Sequence, residues 1–262
     1  MDLSFDISLI EGYTSASQIA RVLTEDWFER NMYCPVCGNY ILKRADANAP
    51  VKDYVCEHCK SQYELKSKRD NTNDFTKKVS DGAYHTMIKR INSLDNPSFF
   101  FMHYKDNKVR SLIVVPNCFF VPEIVEDRRP LVGGARRAGW VGCNILLGRV
   151  PEFAKIPIIS DGVVLNPQNV REEYNRVFSL QTGGVESRGW LIDIMRCVQR
   201  LDSTFTLRQM YDFVDELSLK YPSNRNIKAK IRQQLQFLRD KGFVDFTARG
   251  CYKKIESTLK IN

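Results

Sequence analysis

Residues 51–66 read VKDYVCEHCKSQYELK, and together with CPVCG at residues 34–38 they form the most informative pattern of the chain. Each run contains one Cys-x-x-Cys pair. Thiolates separated by two residues on a tight turn can reach one ion, and two such pairs complete a tetrahedral site of four sulfur atoms. The spacing, with a glycine after the first pair, is typical of a zinc ribbon, whose closed site is structural. We therefore predict structural Zn²⁺ bound by Cys34, Cys37, Cys56 and Cys59.

Two carboxylates and a lysine lie beside the second cysteine pair. Glu64 and Lys66 are two positions apart in an apparent strand, so their side chains project from the same face. A hairpin that returns through the second cysteine pair would bring Asp53 alongside Glu64. Hard oxygen ligands suit Mg²⁺, and a neighbouring ammonium can orient water or help to deprotonate it. We predict a Mg²⁺ site in which Asp53 and Glu64 bind the ion and Lys66 serves the attacking water.

Composition restricts the classes of protein to consider. The chain has 262 residues, 43% of them hydrophobic and 27% charged, which is enough to bury a core and argues against disorder. Its net charge of +8 indicates a polyanionic partner. It contains no run of 18 apolar residues, so we expect no membrane span. The N-terminus lacks the pattern of a secretory signal, and we expect a cytoplasmic protein.

The chain divides into two regions of different charge and pattern. The basic excess is concentrated after the small, polar stretch at residues 180–185, which we interpret as a linker between domains at 1–183 and 184–262. The first domain mixes helix and strand signals, which predicts an α/β or α+β domain. The predicted helices are at residues 17–30 and 81–92, and the predicted strands are at 51–55, 62–66, 99–104 and 111–115.

The second region has the pattern of a winged helix-turn-helix. A first amphipathic helix is predicted at residues 187–201, and Thr206 with Gln209 forms a capping box before a second helix that extends to Leu217. A third helix is predicted to begin after Ser223 or Asn224 and to end at Gly242. A hairpin turning at residues 248–250 would then supply the wing.

The whole pattern resembles the DpnI-like methyl-directed restriction endonucleases of the PD-(D/E)xK superfamily. Asp53 with Glu64-Leu65-Lys66 fits the superfamily motif, with Pro50 displaced from its usual place beside the aspartate. The family resemblance is carried by ARVLTEDW (20–27), YCPVCGN (33–39), ELKSK (64–68), DGAY (81–84), ARRAGW (135–140), KIRQQL (230–235) and LRDK (238–241). It extends over nearly the full length, as far as Ile255.

The resemblance implies a type II endonuclease that cuts duplex DNA at GATC when the adenines carry an N6-methyl group. It implies a PD-(D/E)xK domain with an inserted zinc ribbon and a C-terminal winged helix, each of which senses the methylated site. Asp53 and Glu64 would bind Mg²⁺, with the Leu65 carbonyl as a further ligand, and Lys66 would serve the water. It further implies a monomer.

An N6-methyl group is an apolar bump in the major groove and suits an aromatic receptor. Trp140 is our candidate, with a core tryptophan as the alternative, and Arg136 and Arg137 would contact guanine edges or phosphates. The polar face of the third C-terminal helix would read bases, or else contact only phosphates. The residues assigned to DNA binding in the second domain are Asn224, Arg225, Lys228, Arg232, Gln233 and, in the wing, Arg249.

Two rival hypotheses remain open from the sequence. A zinc-ribbon and winged-helix transcription regulator would share the cysteines and the basic helix, but it would not require Asp53, Glu64 and Lys66. A nuclease of the same fold with a different or unmethylated target is the closer rival, because one changed base contact alters recognition by about 1–3 kcal/mol.

Overall fold

The computed structural model describes residues 1–46, 49–69, 78–93, 95–134, 137–181, 183–257 and 259. Within them the chain divides into two compact units, Met1–Val177 and Phe178–Thr258. The predicted linker at residues 180–185 therefore lies at the beginning of the second unit. In this part of the chain, every helix is too short or too polar to cross a membrane.

The first unit mixes strands with helices, as predicted. Its helices are α1 (Ala16–Asn31), α2 (Tyr84–Asn92) and α3 (Pro167–Phe178). Its strands are β1 (Leu42–Arg44), β2 (Tyr54–Cys56), β3 (Gln62–Arg69), β4 (Val79–Ala83), β5 (Ser98–Lys105), β6 (Lys108–Val115), β7 (Val125–Asp127), β8 (Gly142–Ile145), β9 (Ile156–Ser160) and β10 (Val163–Val164). Short 3-10 helices lie at Ile7–Ile10, Asn117–Phe119, Pro122–Ile124, Leu147–Arg149 and Glu152–Ala154.

The main sheet has seven strands in the order β1-β2-β3-β5-β6-β9-β10. The central pair β3 and β5 is parallel, and the other neighbours are antiparallel. All residues of β5 except the last are buried, which is expected for a strand covered on both faces. On α1, Trp27 and Phe28 are fully buried, and the Phe28 ring packs edge-on against Phe100 of β5 at 4.9 Å between centroids. This core holds β3 rigidly at the centre of the sheet.

A smaller sheet, β4-β8-β7, corrects one sequence prediction. We predicted a single helix over residues 81–92, but residues 79–83 form β4 and the helix begins at Tyr84. Asp81 pairs with Cys143 and Ala83 with Gly142, with a register shift at Gly82 between them. Glycine is unfavourable inside a helix and accommodates such a bulge, so tertiary pairing with β8 overrides the helical pattern.

The strand predicted at residues 51–55 begins only at Tyr54. Val51 has a φ of 49°, in the left-handed region, which is incompatible with an extended strand. The chain therefore turns just before Asp53 and places this residue at the entrance of β2.

The second unit has the order helix, strand, three helices and a hairpin. Its elements are α4 (Val185–Gln199), β11 (Thr204–Thr206), α5 (Leu207–Tyr211), α6 (Val214–Lys220), α7 (Ile227–Asp240), β12 (Val244–Ala248) and β13 (Cys251–Lys254). The three strands form a sheet in the order β11-β13-β12. The predicted hairpin is confirmed, with Arg249 and Gly250 in its turn, and β11 is an edge strand that the sequence pattern did not predict.

The helices of this unit agree with the sequence prediction in part. The capping box of Thr206 and Gln209 is present, but the predicted second helix is interrupted at Asp212 and Phe213 and becomes α5 and α6. The N-cap of α7 is Asn226 rather than Ser223 or Asn224. Asn224 instead forms a turn, in which its Oδ1 accepts a hydrogen bond from the Asn226 backbone N–H at 2.8 Å.

Candidate active site and metal centre

Asp53 is held at the edge of β3 by two hydrogen bonds. Its backbone N–H donates to the Tyr63 carbonyl at 2.9 Å, and its Oδ2 accepts from the Leu65 backbone N–H at 2.8 Å. In the pairing of β2 with β3, Tyr54 lies opposite Tyr63 and Val55 opposite Gln62. Asp53 directly precedes these paired residues, so its carboxylate lies where the pairing of the two strands ends. The N–H and C=O of one strand residue point to the same side. The Leu65 carbonyl therefore faces the same edge as Asp53.

Glu64 and Lys66 project from one face of β3, as their spacing predicts. The Lys66 Nζ lies 2.6 Å from Glu64 Oε1, and it also forms an ion pair with Asp81 Oδ1 of β4. The side chains of Lys66, Glu64 and Asp81 are only 16%, 9% and 7% exposed. A buried ammonium thus lies between two buried carboxylates.

Asp81 is a site residue that the sequence analysis did not identify. Its position depends on the β4–β8 pairing, which joins segments more than 60 positions apart. The available signal is an Asp-Gly pair, Asp81-Gly82, which is common in turns and points to no site. The Gly82 backbone N–H donates to Asp81 Oδ1 at 2.6 Å and helps to orient the carboxylate toward Lys66.

The cluster has an excess of negative charge, because the carboxylates of Asp53, Glu64 and Asp81 surround a single ammonium. Burial raises the pKa of Glu64 to about 7, and the carboxylates of Asp53 and Asp81 act in the same direction against the opposing effect of Lys66. Burial also raises the pKa of Asp53. For Lys66, burial opposes the charged form, but Asp81 and Glu64 outweigh it and raise the pKa. Lys66 is therefore a cation at neutral pH, and Glu64 takes up a proton more readily than an exposed glutamate does.

The donor atoms of the cluster suit a hard divalent cation. Within the described part of the chain, Glu64 Oε2 and Asp81 Oδ2 are buried and have no hydrogen-bond partner. A buried carboxylate oxygen without a partner is unfavourable, and a cation with oxygen ligands would satisfy it. Glu64 and Asp81 offer oxygen donors for such an ion, and Asp53 and the Leu65 carbonyl lie at the adjoining edge of β3.

The four cysteines form a second, separate cluster. Their sulfur atoms lie within 4.8 Å of one another. Cys34 Sγ is 3.5 Å from Cys59 Sγ, and Cys37 Sγ is 3.6 Å from Cys56 Sγ. A tetrahedral Zn²⁺ with bonds of about 2.3 Å would separate its sulfur ligands by about 3.8 Å. The arrangement therefore fits zinc in a closed site of four thiolates.

Hydrogen bonds around the cysteines favour the thiolate at Cys59, whereas burial raises the pKa of the Cys34 thiol despite its contact with Tyr63. The Tyr63 hydroxyl lies 2.9 Å from Cys34 Sγ, and Ser61 Oγ lies 3.2 Å from Cys59 Sγ. Burial opposes ionisation of Cys59, but hydrogen bonds with Ser61 and with Cys34 and Cys56 outweigh it and lower the pKa of the Cys59 thiol to about 7. Tyr63 directly precedes Glu64 in β3, and its carbonyl accepts the Asp53 backbone N–H, so one residue contacts both the cysteine cluster and the segments that carry the carboxylates.

Trp140 lies in a loop between β7 and β8 and is half-buried rather than part of the core. The loop is closed by hydrogen bonds in both directions between Leu131 and residues 139–140. The Trp140 ring packs on the backbone of Gly142, where a Cβ would lie 2.9 Å from the ring. Arg137 is exposed in the same loop, and Arg136 lies outside the described residues. The loop thus presents an aromatic ring and a cation at the surface.

The predicted DNA-binding face of the second unit is exposed. Arg225, Lys228, Arg232 and Gln233 are exposed around α7, Asn224 is half-buried in the preceding turn, and Arg249 is exposed in the hairpin turn. The Arg232 Nη1 donates to the Tyr211 hydroxyl at 2.6 Å, and Lys228 Nζ lies 5.3 Å from the centre of the Tyr211 ring. Tyr211 therefore orients two of these cations, and the face is available to a polyanion.

Two family models match the chain. One, described as the DpnI, Dam-replacing family, matches residues 1–183. The other, described as the Dam-replacing HTH domain, matches residues 186–254. Together they cover almost all of the sequence, and the second coincides with the helices and hairpin that present the basic face.

Proposed function

The chain belongs to the Dam-replacing (DpnI) family of methylation-dependent restriction enzymes, and on that premise we propose that it is a type II endonuclease that hydrolyses duplex DNA at N6-methylated GATC sites with Mg²⁺. The proposal rests mainly on the cluster of Asp53, Glu64 and Lys66. Asp53 lies at the edge of β3, and the side chains of Glu64 and Lys66 are buried together on one face of the strand. A DNA-binding regulator has no need to bury two carboxylates and an ammonium together, since each is costly to desolvate. We assign the first unit to the PD-(D/E)xK fold with an inserted zinc ribbon.

In this proposal Asp53, Glu64 and the Leu65 carbonyl would hold Mg²⁺, and the bound ion would supply positive charge for the scissile phosphate and for water. Lys66 remains an ammonium because Asp81 and Glu64 raise its pKa. It therefore donates hydrogen bonds that orient the water or the phosphate and does not itself remove a proton. Asp81 is a positioning residue, because it contacts Lys66 Nζ and fixes where this charge lies.

The zinc ribbon has a positioning role in the same account. Cys56 closes β2 and Cys59 lies in the turn to β3, so the ion fixes the hairpin that carries Asp53 on one strand and Glu64 on the other. A closed site of four thiolates leaves no position for substrate. Zn²⁺ therefore stabilises the geometry without taking part in hydrolysis.

Methyl sensing is assigned to the Trp140 loop in the first unit and to α7 in the second. An indole that is half-exposed beside Arg137 combines an apolar surface with a cation, which suits a methylated base flanked by phosphates. On α7, Arg232 and Gln233 have the donors and acceptors that pair with guanine and adenine edges. Lys228 and Arg249 would contact the backbone. A single chain is proposed to act as a monomer.

The experiment that tests the proposal compares wild type with Lys66→Ala on a methylated GATC duplex. We expect Mg²⁺-dependent cleavage by wild type and a loss of at least about 10³-fold in the variant, since charge stabilisation in the transition state is removed. Binding of the duplex should be retained. Lys60→Ala, which alters an exposed lysine beside the cysteines, is the matched control. Binding without cleavage by the wild type would favour the transcription regulator.

A further inference from the structure

A cleft of about 320 Å³ lies between the first cysteine pair and the beginning of α3. Its lining combines two tyrosines with a single arginine and no carboxylate. The lining residues are Tyr33, Gly38, Tyr40, Asn166, Pro167, Gln168 and Arg171. None of them belongs to the Asp53, Glu64 and Lys66 cluster or is a cysteine of the zinc centre, so the cleft is a separate feature of the first unit.

Tyr33 contributes a buried hydroxyl that lacks a partner. The residue is 1% exposed, and within the described part of the chain its Oη has no hydrogen bond. Its ring lies 5.9 Å from that of Tyr40, centre to centre. Burial raises the pKa of Tyr33, with a smaller raising effect of Tyr40 and a lowering effect of Arg171, so the phenol is close to both. A buried hydroxyl without a partner is unfavourable, and a bound ligand with an acceptor oxygen would satisfy it.

Arg171 contributes a second set of donors. A Cβ on Gly38 would lie 2.8 Å from the Arg171 guanidinium, so the glycine, whose φ is +80°, allows this group to lie against the first cysteine pair. The Arg171 Nε is buried and has no hydrogen-bond partner among the described residues. Among the residues that the structure describes, Nη1 forms one hydrogen bond, a long one of 3.3 Å to Gln168 Oε1. Arg171 lines the cleft, and its guanidinium thus has donors that the described residues leave without a close partner.

We propose that this cleft binds a phosphate group, with Tyr33 Oη and the Arg171 guanidinium as donors. A guanidinium matches phosphate oxygens in a bidentate geometry, and a phenol adds a third donor. The absence of carboxylates from the lining avoids repulsion of the anion. The phosphate has two possible sources, which share this chemistry: the backbone of bound DNA, or free phosphate and its monoesters.

The decisive variant is Tyr33→Phe, because it removes only the unpartnered oxygen. The full chain would be titrated with inorganic phosphate by calorimetry, without divalent metal. We expect saturable binding by wild type, at least about tenfold weaker binding by Tyr33→Phe and Arg171→Gln, and no change in Tyr104→Phe, a buried tyrosine outside the cleft. The melting temperature of Tyr33→Phe without phosphate should be equal to or above that of wild type, since no native hydrogen bond is lost.

A second arm identifies the source of the phosphate. Binding of a duplex without GATC would be measured against salt concentration for wild type, Arg171→Gln and the exposed control Arg110→Gln. If the source is DNA, Arg171→Gln lowers the slope of log K against log salt by about one. An unchanged slope with lost binding of inorganic phosphate assigns the site to free phosphate. Unchanged binding of both ligands in Tyr33→Phe and Arg171→Gln overturns the proposal. Neither arm depends on cleavage, so a failed proposed function would not be mistaken for a failed phosphate site.

Discussion

Lys66 of β3 and Asp81 of β4 form a buried ion pair that joins the main sheet to the smaller one. Glu64 contacts the same ammonium from within β3, at 2.6 Å. Two anions therefore fix one cation, and each carboxylate keeps a second buried oxygen without a hydrogen-bond partner among the described residues. Lys66 lies at the centre of the cluster, and Glu64 Oε2 and Asp81 Oδ2 are the oxygen atoms that could bind a metal ion.

The ion pair predicts a positioning role for Asp81. Asp81→Asn should lower kcat by about ten- to hundred-fold, because a small displacement of a charged group is enough to reduce the rate by this amount. It should leave KM almost unchanged and lower the pKa of Lys66, which loses its largest favourable charge. Steady-state cleavage across a pH series checks both effects. Asp127→Asn, an exposed residue of the same small sheet, is the control, and an equal loss in both variants would contradict the assignment.

The raised pKa of Glu64, about 7, predicts that Mg²⁺ binding depends on pH. The ion requires the ionised carboxylate, so below pH 7 the dissociation constant should rise by about tenfold for each unit of pH. Above pH 7 it should level off. Calorimetric titration of Mg²⁺ from acid to alkaline pH measures this directly. Glu64→Gln should bind more weakly and lose the dependence, whereas a flat profile for wild type below pH 7 would refute the role of this carboxylate.

Loss of zinc should abolish cleavage because the hairpin that positions Asp53 and Glu64 is no longer held in place. Cys56→Ser should lose the bound metal and most cleavage activity, because the hairpin that orients Asp53 and Glu64 is no longer fixed. Elemental analysis should find about one zinc for each wild-type chain, and chelation should lower the melting temperature of the first unit. Cys251→Ser, in β13 of the second unit, should keep both metal and activity. Full cleavage by a zinc-free protein would contradict this role.

If the Trp140 loop senses the methyl group, substitution of Trp140 should reduce the preference for methylated DNA. Trp140→Ala should reduce the preference for methylated over unmethylated GATC by about ten- to hundred-fold, because an apolar contact with the methyl group is lost. Lys228→Ala should instead weaken binding of both duplexes to the same extent, as expected for a phosphate contact. Competition binding with the two duplexes distinguishes these effects. An unchanged preference in Trp140→Ala would place methyl recognition elsewhere.

Local patterns were sufficient to predict much of this molecule. The spacing of the cysteines predicts their convergence, and the period of two along a strand places Glu64 and Lys66 on one face. Asp81 could not be found in this way, because its place depends on pairing with β8 and the local pattern favours a helix. The break between α5 and α6 at Asp212 and Phe213 was also missed, because the helical period continues across these two residues. The cleft at Tyr33 depends on how α3 packs against the first cysteine pair, which no local pattern encodes.

Digestion with Mg²⁺ of one plasmid, prepared in GATC-methylated, hemimethylated and unmethylated forms, tests the methyl-directed nuclease. We expect cleavage of the methylated plasmid at GATC, no cleavage of the unmethylated plasmid, and no cleavage of any form by Lys66→Ala. Cleavage of the unmethylated plasmid would keep Asp53, Glu64 and Lys66 as the catalytic set but contradict the methyl-sensing role proposed for Trp140. Failure to cut any form, with zinc bound and Mg²⁺ present, would contradict the assignment of a nuclease.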